Sequence, residues 1–365
     1  MVAPVKTRLR SLDGLRGIAA VVVVLQHCVL LLPQVSWAYF GGRTDDGWPA
    51  WITYSPLHLF WMGTEAVYVF FVISGIVLTR LAMGTNFTWG RYYPSRLIRL
   101  YGPTILSVLL GSLIIFFTVD KTVLTTRWLE SRHGFYSLTD YLKDFTLILG
   151  DSGRIGPLWS LQYEVLFSLL LPLYLLLRKV RPWIGLVIIS TLIVVGALIA
   201  FEPLYYLPFF GLGVMMAQNW DVLVARATKL LETRAWVGWC SFVAALFLIM
   251  SHWLVAAWVD SFLVRAITLP FILLGVCVLV LLAETFSPLI RFFSSRVVAW
   301  LGLISFSLYL VHEPIIIGAA FLTRGAVWAV ITAVVLSFVV AQLFYMFLER
   351  PIHKFSQKLR RGKST

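Results

Sequence analysis

Charge is what this sequence has least of. Only 13% of its 365 residues are Asp, Glu, Lys or Arg, while 60% are hydrophobic, which excludes an ordinary soluble domain, where about a quarter of residues are charged. Cysteine is nearly absent too. Cys28, Cys240 and Cys277 all lie in apolar stretches, and an odd number of buried thiols argues against both a disulfide framework and a zinc site. Acidic residues are fewer than basic ones, 17 against 30, for a net charge of +13. The basic residues sit in short loops between apolar runs, where they set orientation and meet anionic headgroups. Membrane lipids, not nucleic acid, are therefore the expected partner. There is no internal repeat and no low-complexity tract, which weakens the case for a repeat-built transporter.

What is present is a series of ten apolar runs, with a mean hydropathy of +0.87 over the chain. They cover about Gly17 to Pro33, Leu57 to Met83, Tyr101 to Val119, Leu158 to Leu177, Trp183 to Ala200, Pro203 to Ala217, Ala235 to Val259, Ser261 to Ala283, Val297 to Leu322 and Ala326 to Leu348. The first follows Lys6, Arg8 and Arg10 but has no small-residue cleavage pattern, so it reads as a retained helix rather than a secretory signal. The sixth is short and holds Pro208 and glycines, the pattern of a tilted or interrupted helix. The expected fold is all-α: a polytopic membrane protein of about ten transmembrane helices, one domain over residues 1–365. Short basic tails are expected at 1–12 and 350–365, and a larger extracytoplasmic loop at about 120–157.

With ten crossings, alternate sides collect twenty-two and seven basic residues, and Arg265 falls within a helix. The positive-inside rule then places both termini in the cytoplasm. Asn86-Phe87-Thr88 matches a glycosylation triplet but falls on that cytoplasmic side, so it reads as chance. Trp37, Trp48 and Trp51 in the first outward loop could stack on sugars, although interface anchoring is the commoner use of tryptophan.

Few polar side chains enter the runs. Arg16 and His27 are eleven positions apart, within about 20° of one helix face and roughly 16 Å along the axis, so they share a face without touching. His27 lies inside an apolar helix and is a functional candidate, with a bond to a neighbouring helix as the structural alternative. Glu65 in the second run needs a partner for the same reason. Ser74 and Gly75 read as small residues of a close helix contact. Arg96 and Arg99 stand one turn apart, either as a topology signal or as a forked clamp for phosphate. Ser160 and Glu164 are neighbours on the fourth run and enter from the side opposite to Arg16. His312 has no carboxylate at helical spacing to orient it and reads as structural.

Together, Asp13-Gly14-Leu15-Arg16-Gly17 with His27, Phe70-Phe71-Val72-Ile73-Ser74-Gly75, Arg96-Leu97-Ile98-Arg99-Leu100-Tyr101, Trp159-Ser160-Leu161 with Glu164, and Ser307-Leu308-Tyr309-Leu310 with His312 resemble the signature of acyltransferase family 3, in order and over nearly the whole chain. The resemblance implies a bacterial inner-membrane, multi-pass enzyme. Such enzymes move an acyl group, commonly acetyl from acetyl-CoA, to a cell-envelope polysaccharide, another glycan or a glycosylated small molecule. Some relatives carry an added extracytoplasmic esterase-like domain; the chain ends soon after its tenth run, so that domain is not expected here. The position before Val69-Phe70-Phe71, often acidic or amide-bearing in relatives, is Tyr68 here, and Glu65 one turn earlier is the substitute.

On this reading Arg16, Arg96 and Arg99 hold the phosphates of the acyl-CoA, and the thioester reaches toward His27. His27 acts as general base on the acceptor hydroxyl or accepts the acyl group itself. Glu164 orients the imidazole, Trp159 or Ser160 lines the acceptor path, and Asp13, Glu65, Ser74 and His312 support. No metal is expected. A secondary transporter or glycan exporter using the same buried groups is the alternative, and a catalytically idle scaffold is a third.

Overall fold

The computed structural model describes residues 9–44, 46–118, 126–130, 132, 134–148, 150–259 and 262–361. Lys6, Arg8, Lys121 and Lys363, with parts of the expected tails and of the 120–157 loop, lie outside the described residues. Among the described residues every regular element is helical. In chain order these are α1 (Arg10–Val29), α2 (Pro33–Tyr39), α3 (Gly47–Tyr54), a 3-10 turn at Pro56–Phe60, α4 (Gly63–Ala82), α5 (Trp89–Thr118), α6 (Arg127–Glu130), α7 (Leu138–Thr146) and α8 (Leu158–Tyr174). They continue with α9 (Pro182–Leu198), α10 (Glu202–Gln218), α11 (Trp220–Thr233), α12 (Ala235–Ile249), α13 (Ser251–Ala256), α14 (Phe262–Thr285), α15 (Ser287–Phe293), α16 (Arg296–Thr323) and α17 (Val327–Phe344). A π turn at Tyr345–Glu349 leads into α18 (Arg350–Arg361).

All ten apolar runs are helical, because a backbone in hydrocarbon must satisfy its own polar groups. Among the described residues, seven helices are long and apolar enough to cross a membrane: α1, α4, α5, α8 with its 3-10 extension to Lys179, α14, α16, and α17 continued through the π turn. The other three runs give the shorter α9, α10 and α12, of 17, 17 and 15 residues. Bent by 117° against the amphipathic α11, α12 makes an eighth span if the pair is counted as one.

Several boundaries differ from the sequence reading. The second run divides at Trp61 and Met62, so Pro56–Phe60 stands apart from α4. The seventh divides at Met250. The sixth is one uninterrupted helix despite Pro208. The third begins at Trp89, well before Tyr101, so Arg91, Arg96 and Arg99 lie on a helix rather than in a loop.

The centre of the bundle is α1, packed between α16 and α4. Glycines make this contact possible. A Cβ on Gly302 of α16 would lie 2.3 Å from the Asp13 carbonyl oxygen, and one on Gly17 would lie 2.4 Å from the Gly302 nitrogen. The two backbones therefore touch, as small residues allow in membrane helices. Gly75 and Gly213 do the same for α4 and α10, with virtual Cβ contacts of 2.3 Å to Phe210 O and 2.1 Å to Val72 O. A Gly302→Val protein should lose about 1–3 kcal/mol of stability through overpacking, read as a lower thermal midpoint in detergent. An unchanged midpoint would contradict this backbone contact.

Candidate functional site

The α1–α16 contact brings the expected Arg16–His27 face against Tyr309 and His312. Near the start of α1, Arg16 lines a cavity of about 380 Å³ with Phe70, Ser74, Ser160, Glu164 and Tyr309. Its guanidinium carbon lies 5.7 Å from the centre of the Phe70 ring. The Ser160 and Tyr309 hydroxyls are 2.7 Å apart. Tyr309 stands one turn before His312, with ring centres 6.3 Å apart. The cavity wall thus runs from Arg16 toward the histidine end.

At that end, His27 Nδ1 and His312 Nε2 are 2.8 Å apart, and His312 Nδ1 is 2.8 Å from the Leu308 carbonyl oxygen. A carbonyl only accepts, so His312 donates from Nδ1 and its neutral Nε2 must accept. His27 then donates from Nδ1, which leaves the lone pair of its own Nε2 free. His312 is fully buried, whereas His27 is half-buried.

A polar lid covers the pair. Trp128 of α6 stacks on His27, with ring centres 5.1 Å apart, and is itself buried. Arg132 donates from Nε to Glu313 Oε1 at 3.0 Å and from Nη1 to Gly153 O at 2.6 Å. Glu313 is the neighbour of His312 and is wholly buried. Gly156 leaves room for this pair, since a Cβ there would lie 2.7 Å from both Arg132 Nη2 and Glu313 Oε2. Asp144 anchors the segment, accepting from Tyr136 Oη, Ser152 N and Ser152 Oγ. Burial pushes its carboxyl above the ordinary range, opposed by the Ser152 bonds.

The other expected residues divide between this axis and elsewhere. Glu164 does not orient His27: its Oε1 accepts from Arg96 Nη2 at 2.6 Å and from Ser74 Oγ at 2.9 Å. Arg96 also donates from Nε to Ser168 Oγ at 3.0 Å. Glu164 and Ser168, both on α8, had to be satisfied within the bundle, and they bind the nearest cation. Arg96 is therefore committed, whereas Arg16 and Arg99 make no hydrogen bond or ion pair with described residues. Arg99 lies in electrostatic reach of Arg16, Arg96, Glu164 and Glu349. Ser160 lines the cavity, but Trp159 turns its ring to Tyr206 of α10 at 4.7 Å. Asp13 lies one turn before Arg16 with its main chain against Gly302. Glu65 is apart from this cavity, its Oε1 accepting from Trp253 Nε1 at 3.1 Å.

Sequence reasoning missed four participants and misread the role of a fifth, His312. His312 was set aside for want of a carboxylate on its own helix, yet its partner is a second histidine. Glu313 and Arg132 meet across 181 positions; the signal available was a carboxylate in an apolar run. Trp128 gave no signal beyond its type. Glu349, which accepts from Ser307 Oγ at 2.5 Å, announces itself only as an acid beside a basic tail. Among the described residues, no group of three or more His, Cys, Asp or Glu is placed to hold a metal ion.

The sequence profile of a family described as an acyltransferase domain matches residues 9–346. Among curated proteins, the chain is 24% identical over 376 residues to the peptidoglycan O-acetyltransferase OatA of Listeria monocytogenes, covering 94% of this chain and 56% of that protein. It is 22% identical over 380 residues to the putative peptidoglycan O-acetyltransferase YrhL of Bacillus subtilis, covering 94% and 54%. The chain thus spans about half the length of these relatives. No solved structure matches it.

Proposed function

The chain belongs to this acyltransferase family, and from that premise we propose that it transfers an acyl group, acetyl from cytoplasmic acetyl-CoA, to a hydroxyl of a cell-envelope carbohydrate. It would do so as a multi-pass protein of the cytoplasmic membrane, with ten crossings and both termini inside. The acceptor class follows the names of the relatives, one a peptidoglycan O-acetyltransferase and the other a putative one. The observation that carries the reading is the His27–His312 bond, set beyond a cavity that begins at Arg16.

Arg16 and Arg99 make no hydrogen bond or ion pair with described residues, and together they suit the phosphates of the coenzyme. Arg96, held by Glu164 and Ser168, contributes charge and position rather than free donors. The acyl arm would lie along Ser74, Ser160 and Tyr309 toward His27. There the free Nε2 takes the proton of the acceptor hydroxyl as the new C–O bond forms and the C–S bond breaks, and the proton leaves with the thiol. Alternatively Nε2 takes the acyl group first and passes it on. In both courses His27 becomes cationic, and its Nδ1–H bond to His312 strengthens. His312 is a positioning residue that holds the tautomer.

Two results test this. Arg99→Ala should raise the acetyl-CoA KM, and the Kd for coenzyme A measured in lipid nanodiscs, by about tenfold or more, the loss of one to two charge-assisted bonds. An unchanged Kd would remove Arg99 from the donor site. His312→Leu should lower kcat by about a hundredfold, whereas His312→Gln, whose amide oxygen still accepts from Nδ1–H, should recover most of that loss. Equal effects of the two would show a packing role only.

A further inference from the structure

The connection between α5 and α8 closes over the histidine pair. Its short helix α6 places Trp128 flat against the His27 ring, with centres 5.1 Å apart and planes 18° from parallel, and only 1% of Trp128 is exposed. The segment is fastened at three points. Trp128 N donates to Ser36 Oγ at 3.1 Å, and Ser36 is wholly buried on α2. Arg127 donates to the Phe40 carbonyl oxygen at 2.9 Å and lies over the Trp37 ring, 4.3 Å from its centre. Arg132 pairs with Glu313, the neighbour of His312.

A helix of four residues cannot hold itself, so α6 keeps its place because α2 and α16 hold it. α2 begins at Pro33, directly after α1 ends at Val29, and a tryptophan fixed to α2 is therefore fixed relative to His27. The chemistry of the site gives that cover a use. A base that takes a proton from a sugar hydroxyl also takes one from water, which is smaller and far more abundant. At an open His27 the water oxygen would bond to the acyl carbon and the C–S bond would break, one proton leaving with the thiol and the other with acetic acid. Closed sites prevent such hydrolysis by keeping water out. In the ten-crossing arrangement proposed above, this connection faces the outside, where that water is.

We propose that Trp128 is a specificity residue that keeps water from His27, so that the acyl group passes to a carbohydrate hydroxyl and not to water. Rings stacked this closely leave no room for water between them, and the indole covers one whole face of the imidazole. Trp128 acts by what it excludes and takes no part in the bonds that form and break. Its anchors on α2 and the Arg132–Glu313 pair keep the cover over both histidines. The role rests on the acyl-transfer reading, and it names what decides between transfer and hydrolysis.

The test uses the whole chain in lipid nanodiscs with labelled acetyl-CoA, and follows thiol release with and without a cell-envelope extract while the label separates acetate from acetylated carbohydrate. Wild type should release thiol slowly without acceptor. Trp128→Ala should raise that acceptor-free release by about tenfold or more, whereas Trp128→Phe, which keeps a flat ring, should raise it by less than about threefold. Arg127 is exposed, so Arg127→Ala frees one anchor without disturbing the core and should give an intermediate leak. It decides alone if Trp128→Ala does not fold. The leak should vanish when His27→Gln is added to Trp128→Ala. Unchanged acceptor-free release in the folded variants, equal leaks in Trp128→Ala and Trp128→Phe, or a leak that survives His27→Gln overturns the role of Trp128. A wild type that divides its acetyl equally between water and carbohydrate also overturns it, while acyl transfer stands. A wild type that releases no thiol even with acceptor sinks the acyl-transfer reading and this role with it.

Discussion

His27→Gln protein, folded and inserted normally, should transfer acetyl at a rate lowered by about 10²–10⁴-fold. The size follows from what the free Nε2 is asked to do. In one course it removes a proton from a hydroxyl that is otherwise a poor nucleophile, and in the other it carries the acyl group. An amide does neither. The substitution keeps a polar side chain next to His312, so the helix contact should survive, and binding of coenzyme A should change by less than about twofold. The measurement is initial-rate transfer of labelled acetyl, with thiol release followed in parallel. A variant within threefold of wild type would remove His27 from the chemistry, whatever its contacts.

Glu164→Ala should be the most destabilising substitution in the bundle. Glu164 accepts from Arg96 at 2.6 Å, and Arg96 is buried, with only 7% of its surface exposed. Removing the carboxylate leaves an uncompensated buried guanidinium, which costs about 3–5 kcal/mol. Replacing both partners, as Glu164→Leu with Arg96→Met, should recover most of that loss, because a buried pair exchanged for apolar residues of similar volume is often neutral. Thermal unfolding of the single and double variants in one detergent reads both effects. If the double variant is no more stable than Glu164→Ala, the pair is not the reason for the loss. The double variant should also bind coenzyme A more weakly, because it removes charge near Arg16 and Arg99.

Much of the bundle is legible because lipid imposes simple rules. Long apolar runs must be helical, and all ten are. The Gly14-Leu15-Arg16-Gly17 stretch stands out in the sequence, and its glycines let α1 pack on α15 and α16 and carry the Arg16–His27 face to Tyr309 and His312. The start of α5 is less legible. Its first turns hold arginines, tyrosines and Pro94, the composition of a loop, yet they are helical because Tyr92 and Arg96 are buried against α8.

The pairing of the polar groups could not be read at all. Spacing along one helix tells which residues share a face, but not which helix that face meets. Glu164 therefore looked like the partner of His27 when its partner is Arg96, and His312 looked idle when it holds the imidazole. Arg132 and Trp128 lie in the connection before α8, where no periodicity ties them to the site.

The central claim is that a thioester donor held near Arg16 and Arg99 gives up its acyl group at His27. The most direct measurement is acetyl-CoA turnover by the purified wild-type protein in lipid, with a cell-envelope extract as acceptor and both thiol and label followed. The account predicts thiol release matched by acetyl label on a carbohydrate. Saturable movement of an unmodified glycan across vesicles, with no thiol released and no coenzyme bound, would contradict it and make the same buried groups a transport path.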